Sequence, residues 1–186
     1  TFNSNMLALN KGKPEQMNLK HILLSFIDFR EEVVTKRTIF DLNKARNKAH
    51  ILIGLVVAND NIDKIIELIK SSKDSNEAKN KLITTKWKLS KNNTNFINLI
   101  EDQTSQLNKD MYSFTETQVK AILDLRLHKL TSLERDDIKK DLENITLEIK
   151  DYLEILNSRK KLLQVIIKEL EEIKKEFATP RKSEII

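Results

Sequence analysis

Cysteine is absent from the 186 residues, and glycine and proline occur only twice each. Without cysteine there is no disulfide framework, no thiolate metal site and no cysteine nucleophile. Gly12 and Pro14 stand near the start, Pro180 near the end, and only Gly54 lies between. A sandwich or barrel needs a turn residue every ten or so positions, and a Rossmann or P-loop site needs clustered glycines. This spacing excludes both. Aromatic residues are few, at 5%. No apolar run approaches the ~20 residues of a membrane span. The opening Thr1-Phe2-Asn3-Ser4-Asn5 has neither an initiator Met nor a signal-peptide pattern. The chain is therefore expected to be a piece of something larger, and the cytosol fits it.

Charge is plentiful but mixed. The chain carries 33 Lys and Arg against 28 Asp and Glu, a net charge of +5. Seven basic and five acidic residues fall in 18–60, twelve and nine in 61–131, and ten and twelve in 132–177. No segment is a basic block of the nucleic-acid-tail kind, so most charges read as solvated surface. The hydrophobic share of 39% is enough for a core.

The apolar residues recur with the helical period. Residues 1–17 are irregular and read as a strand end and a turn around Asn10-Lys11-Gly12-Lys13-Pro14. Asn18 can cap a helix starting at Leu19. From there Leu19, Ile22, Phe26, Phe29 and Val33 form a stripe, continued by Phe40 and, in shifted phase, by Leu42, Ala45, Ala49, Leu52 and Val56. Ile138, Leu142, Ile145, Ile149, Tyr152 and Leu156 step by 4, 3, 4, 3 and 4, the seam of a coiled coil. Asn157-Ser158 offers a break, after which Leu163, Ile166, Leu170, Ile173 and Phe177 resume. Helices over 18–60 and 132–177 would be rods of roughly 65 and 69 Å. Their similar reach predicts an all-α fold: a long antiparallel coiled-coil hairpin with a small helical tip. Shorter helices are expected at 62–72, 75–83 and 115–130, the last opened by a Thr115/Gln118 capping box. Residues 84–113 read as an irregular or partly helical loop around Trp87.

No chemistry emerges from composition and spacing. His21, His50 and His128 are far apart and do not form a metal-binding pair; His50, in Ala49-His50-Ile51-Leu52, reads as a partly buried structural histidine. Tyr152 falls in the seam, Tyr112 sits in the expected loop without a basic neighbour, and Trp87 reads as an apolar anchor.

Five runs say more. Ala8-Leu9-Asn10-Lys11-Gly12-Lys13-Pro14 leads to Met17-Asn18-Leu19-Lys20. Arg30-Glu31-Glu32-Val33-Val34-Thr35-Lys36-Arg37-Thr38 is followed by Lys44-Ala45-Arg46-Asn47-Lys48-Ala49-His50-Ile51-Leu52. Ala121-Ile122-Leu123-Asp124-Leu125-Arg126-Leu127 precedes Lys129-Leu130-Thr131, and Arg181 to Ile185 closes the chain. In this order they resemble the breakage–reunion subunit of the bacterial type IIA DNA topoisomerases, the A subunit of gyrase and, less closely, its topoisomerase IV equivalent. The family usually has a basic residue where Glu31 stands and an acidic or small one at Ile53, and its counterpart of 84–113 is longer and less Asn-rich.

The resemblance implies a place in a machine. Residues 1–17 would end the tower domain, 18–60 and 132–177 would form the arm, 61–131 the dimeric DNA-exit gate, and 178–186 the tail leading back to the DNA gate. The DNA-cleaving tyrosine, which in the family directly follows an arginine, would lie before Thr1, so no catalytic residue is expected here. Mg²⁺ and ATP would act through the gyrase B subunit, leaving no cofactor or metal in this stretch. Implied partners are a second copy at the gate, the B subunit in an A2B2 complex, and double-stranded DNA, with no membrane. The 115–130 helix is apolar on more than one side and needs two burial partners. Both could lie within the tip; the resemblance favours a subunit contact through Val119, Ile122, Leu123, Leu125 and Leu127. Lys11, Lys13, Arg181 and Lys182 become candidate phosphate contacts, with solvated charge as an equal alternative. Arg30, Lys36, Arg37 and Arg46 could face a DNA cavity, though helix-surface salt bridges are the preferred reading for them. A non-enzymatic coiled-coil scaffold would share the heptads but not the five runs. A membrane-surface helix is disfavoured, since no face combines lysine clusters with aromatics.

Overall fold

The computed structural model describes residues 5–89, 111–124, 132–180 and 182–183. It begins with an antiparallel hairpin, β1 (Leu7–Asn10) and β2 (Lys13–Gln16), in which Leu7 faces Gln16 and Asn10 faces Lys13. Lys11 and Gly12 both take positive φ, 49° and 79°. A two-residue hairpin turn of the I′ type, whose twist matches that of the strands, requires this at both central positions. Asn18 then caps α1 (Leu19–Asp60), its Oδ1 accepting from the His21 N–H at 2.8 Å. The remaining helices are α2 (Ile62–Lys70), α3 (Ser75–Thr84), α4 (Glu116–Leu123), α5 (Ser132–Asn157) and α6 (Arg159–Phe177). Two short strands, β3 (Trp87–Lys88) and β4 (Met111–Tyr112), pair antiparallel between α3 and α4. The fold is all-α with a short N-terminal strand hairpin, as expected.

The helix bounds reflect local chemistry. Asp74 caps α3 by accepting from the Glu77 N–H, and the Thr115/Gln118 capping box opens α4. The expected break at Asn157-Ser158 separates α5 from α6, with Ser158 extended at the N-cap position. Of the helix expected over 115–130, α4 accounts for the part up to Leu123, followed by a turn at Asp124; residues 125–131 lie outside the described residues. Tyr112 belongs to a strand rather than a loop, because Trp87 offers it a pairing partner.

The chain divides into two compact units, residues 1–40 with 153–186, and residues 41–152. In the first, Val34 packs on Leu162 and Ile166, flanked by Ile155, Leu163 and Val165. Ion pairs border this contact: Arg30 and Arg37 both reach Glu169, and Arg159 grips Glu31 through Nε and Nη2 at 3.2 and 2.8 Å. Two expectations are corrected here. The buried stripe of α1 passes through Val34 and Thr38, while Leu19, Phe26, Phe29 and Phe40 are exposed, Phe40 at 67%. In α6 burial centres on Leu162 and Ile166, while Ile173 and Phe177 are exposed. A single partner helix covers one stripe of α1 and leaves the adjoining apolar one in solvent. Thr38 tolerates burial because its hydroxyl donates to the Val34 carbonyl one turn back, at 2.8 Å.

In the second unit, Ile53, Val56 and Val57 of α1, Ile65 of α2, Ala78 and Leu82 of α3, and Val119 and Ile122 of α4 are all buried. The expected seam of α5 is found: Leu142, Ile145 and Ile149 are buried, with Tyr152 half-buried. Helix α3 packs on both α2 and α4. Asn61 joins the turn after α1 to β3, donating to the Val57 and Lys88 carbonyls at 2.8 and 3.0 Å.

Candidate functional site

Several hydrogen bonds and ring contacts of the 41–152 unit meet at the start of α4. The Trp87 and Phe114 rings meet at a tilt of 36° with centroids 5.5 Å apart, and Tyr112 meets Phe114 edge-on at 5.8 Å. The Trp87 Nε1–H donates to the Leu82 carbonyl at 3.1 Å, which satisfies its one polar group. Gln118 has no exposed surface. Its Oε1 accepts from the Thr115 N–H at 3.0 Å. Its Nε2 donates to the His50 carbonyl at 2.7 Å and to the Tyr112 hydroxyl at 2.6 Å. The Thr115 hydroxyl lies 2.8 Å from His50 Nε2. Outside, Lys79 of α3 pairs with Glu116, an acid placed at the positive end of α4; this pairing lowers the Glu116 pKa.

Gln118 is visible in the sequence as a capping residue, but its contact with α1 is not. The signal that could have found it is Gly54. A glycine inside a helix costs about 1 kcal/mol relative to alanine, and here a β-carbon on it would sit 2.7 Å from Cγ of Gln118. His50 is half-buried and tied to Thr115, the structural role expected for it.

The candidate contact residues divide. Val119 and Ile122 are buried within their own unit. Leu123 is half-buried, as is its neighbour Ala121. Leu125 and Leu127 lie outside the described residues. Among the candidate phosphate contacts, Lys11 sits at the hairpin turn, Lys13 begins β2, and both are exposed, as is Lys182; Arg181 lies outside the described residues. Between the hairpin and the first turns of α1 runs an open groove of about 790 Å³, lined by Leu9, Lys11, Met17, Ile22, Phe26 and Phe29 among others. Of the cations that could face a DNA cavity, Arg30 and Arg37 share Glu169, and Lys36 pairs with Glu32 one turn back at 2.6 Å.

Neither tyrosine is arranged as a nucleophile. Tyr112 is buried against Gln118. Burial, with Asp41, Glu148 and Asp151 nearby, raises the Tyr152 pKa, the wrong direction for an attacking oxygen. Among the described residues no three His, Asp or Glu side chains gather as a metal site, and no helix is long and apolar enough to cross a membrane.

Comparison with known proteins agrees with the resemblance. The family of DNA gyrase/topoisomerase IV A subunits matches residues 1–171. The DNA gyrase A subunit of Rickettsia conorii is 46% identical over 185 residues, covering all of this chain and 20% of the relative. That of Haemophilus influenzae is 40% identical over 193 residues, covering all of this chain and 22% of the relative. That of Granulibacter bethesdensis is 40% identical over 186 residues, with 20% of the relative covered. The chain thus spans about a fifth of the length of the relatives it matches. With five sequence runs in family order and a match across 171 residues, the chain belongs to the family of DNA gyrase and topoisomerase IV A subunits.

Proposed function

We propose that this chain is the arm and exit-gate segment of a gyrase-type A subunit. The complete enzyme would be a cytoplasmic ATP-dependent type II topoisomerase that passes one DNA duplex through a break in another, with a B subunit supplying ATP and Mg²⁺ chemistry. The observation that carries this reading is the end-to-end match to gyrase A subunits at 40–46% identity. The absence of an Arg-Tyr pair from the sequence supports a mechanical rather than catalytic role. While a duplex is cut, the two halves of the enzyme must stay joined, so a second contact must hold below the break. The 41–152 unit is suited to this because it carries a buried core of its own, with Ile53, Ile65, Leu82 and Val119 almost without exposed surface. Since Val119 and Ile122 face inward and the exposed positions of α4 and its C-cap are Glu116, Thr117, Lys120 and Asp124, the contact falls to the half-buried Leu123 edge of α4 and to the next apolar residues along the chain, Leu125 and Leu127. Lys11 and Lys13 at the hairpin supply phosphate contacts. A topoisomerase IV equivalent would share this geometry; the gyrase names of the relatives favour gyrase.

Sedimentation of the 186-residue chain at low and high salt tests the gate. An apolar contact gives a dimer that persists at high salt, because screening weakens only charge-mediated association. A monomer at tens of micromolar in both would overturn it.

A further inference from the structure

Gln118 is a fully buried polar side chain whose amide is used at both ends and which bonds three different elements. The carbonyl oxygen closes the first turn of α4. The two amide hydrogens go to α1, at the His50 carbonyl, and to β4, at the Tyr112 hydroxyl. An amide is the one neutral side chain of this length that accepts on one side and donates twice on the other. Its stem presses on α1 where residue 54 has no β-carbon: a methyl there would stand 2.7 to 2.9 Å from Cγ, Cβ and Cδ of Gln118. The α1 turn His50–Gly54 therefore offers a notch and a carbonyl, and α4 fills both with one side chain. A capping box needs only the bond to Thr115. The bonds to α1 and β4, and the notch, go beyond capping.

We infer that Gln118 is the positioning residue of the subunit contact. It latches the first turn of α4 onto α1 and so sets the direction in which the half-buried Leu123 edge of α4, which borders an open hollow with Lys79, Glu116 and Lys120, faces a second copy. This rests on the gate reading above. Without the latch α4 can still form, since its capping threonine remains, but its angle on α1 is no longer held.

The test uses the 186-residue chain with two readouts, amide hydrogen exchange across 116–123 and the dimer dissociation constant by sedimentation. Gln118→Met keeps length and volume but removes the three amide bonds; Gly54→Ala leaves the bonds' chemistry intact and blocks the notch from the other side. Each should speed exchange in α4 and weaken the dimer about tenfold or more, the scale of losing buried hydrogen bonds. Gln118→Gly removes the β-carbon that stands 2.9 Å from a methyl at 54 along with the rest of the side chain, so Gly54→Ala combined with it should be no worse than Gln118→Gly alone, a non-additivity expected of residues in contact. Tyr112→Phe, which removes one of the three bonds and retains the ring, should show a smaller loss of the same kind and serves if the others fail to fold. Unchanged exchange in α4, or additive effects of the 54 and 118 substitutions, would overturn the latch. Faster exchange in α4 with an unaltered dimer constant would overturn its link to the contact. A wild-type chain that stays monomeric would remove the gate reading and leave the latch to be decided by exchange alone.

Discussion

In the 41–152 unit Ile53, Ile65, Leu82 and Val119 have almost no exposed surface, whereas in the unit of residues 1–40 and 153–186 Leu9, Leu19, Phe29 and Phe177 stand mostly in solvent, Leu9 at 77%. Composition does not separate them, for both are built from amphipathic helices rich in Leu and Ile. The number of elements available for packing does. In the first case segments of α1 and α5 are joined by α2, α3, α4 and a strand pair, enough to cover more than one side of a helix. In the second, α1 has α6 and a small hairpin, and its further apolar stripe stays bare. One unit thus carries its own core, and the other holds together through a narrow seam and ion pairs.

The sharpest way to break this comparison is to delete one large side chain from each. Trp87→Ala should cost about 3–5 kcal/mol, because the ring is fully enclosed and a rigid surround leaves a cavity. Leu162→Ala should cost nearer ~2 kcal/mol, since a site at the edge of a two-helix seam can collapse onto the gap. Urea unfolding followed by circular dichroism measures both. Equal costs would show that the seam is as well enclosed as the closed core.

A smaller effect sharpens it from the other side. Phe29→Ser and Leu23→Ser replace side chains that are 60% and 54% exposed. Each should change unfolding free energy by no more than about 0.5 kcal/mol, while lowering the fluorescence of a dye that binds exposed apolar surface. A loss comparable to that of Leu162→Ala would mean that this stripe is covered by the chain itself.

These contrasts also mark what could be read from the sequence. Helix bounds were legible because they depend on nearby residues: Asn18, the Thr115/Gln118 pair and the break at Ser158 act within a few positions. The α5 seam was legible because its spacing admits only one apolar stripe. The first stretch of α1 was not, since Leu19, Phe26 and Phe29 compete with Val34 and Thr38, and periodicity cannot say which stripe receives the partner. The strand at Tyr112 and the Gln118–Gly54 contact were hidden for a related reason. Each depends on a residue at least 25 positions away along the chain, and nothing local to Tyr112 or Gln118 names that partner.

The smallest expected effect concerns the ion pairs that border the narrow seam. The hydrogen bonds from Arg159 hold the Glu31 carboxyl below its ordinary value of 4.5, outweighing the opposing effect of burial. A carboxylate whose folded pKa is depressed stabilises the fold above its unfolded pKa, and that contribution disappears as pH falls through the folded value. Arg159 stays charged throughout, so the titration belongs to Glu31 alone. The pair is largely solvent-exposed on the arginine side, which keeps its worth modest and open to screening. Glu31→Gln should therefore lower the urea midpoint slightly at pH 7 in low salt, and the difference from wild type should hold down to about pH 5. Below 4.5 it should shrink as the wild-type carboxyl is protonated, and at neutral pH it should also shrink in high salt. A difference that persisted at pH 3 would assign the role of Glu31 to packing instead of charge, and the seam of residues 1–40 and 153–186 would then depend on apolar contact to a greater degree than its exposed stripe suggests.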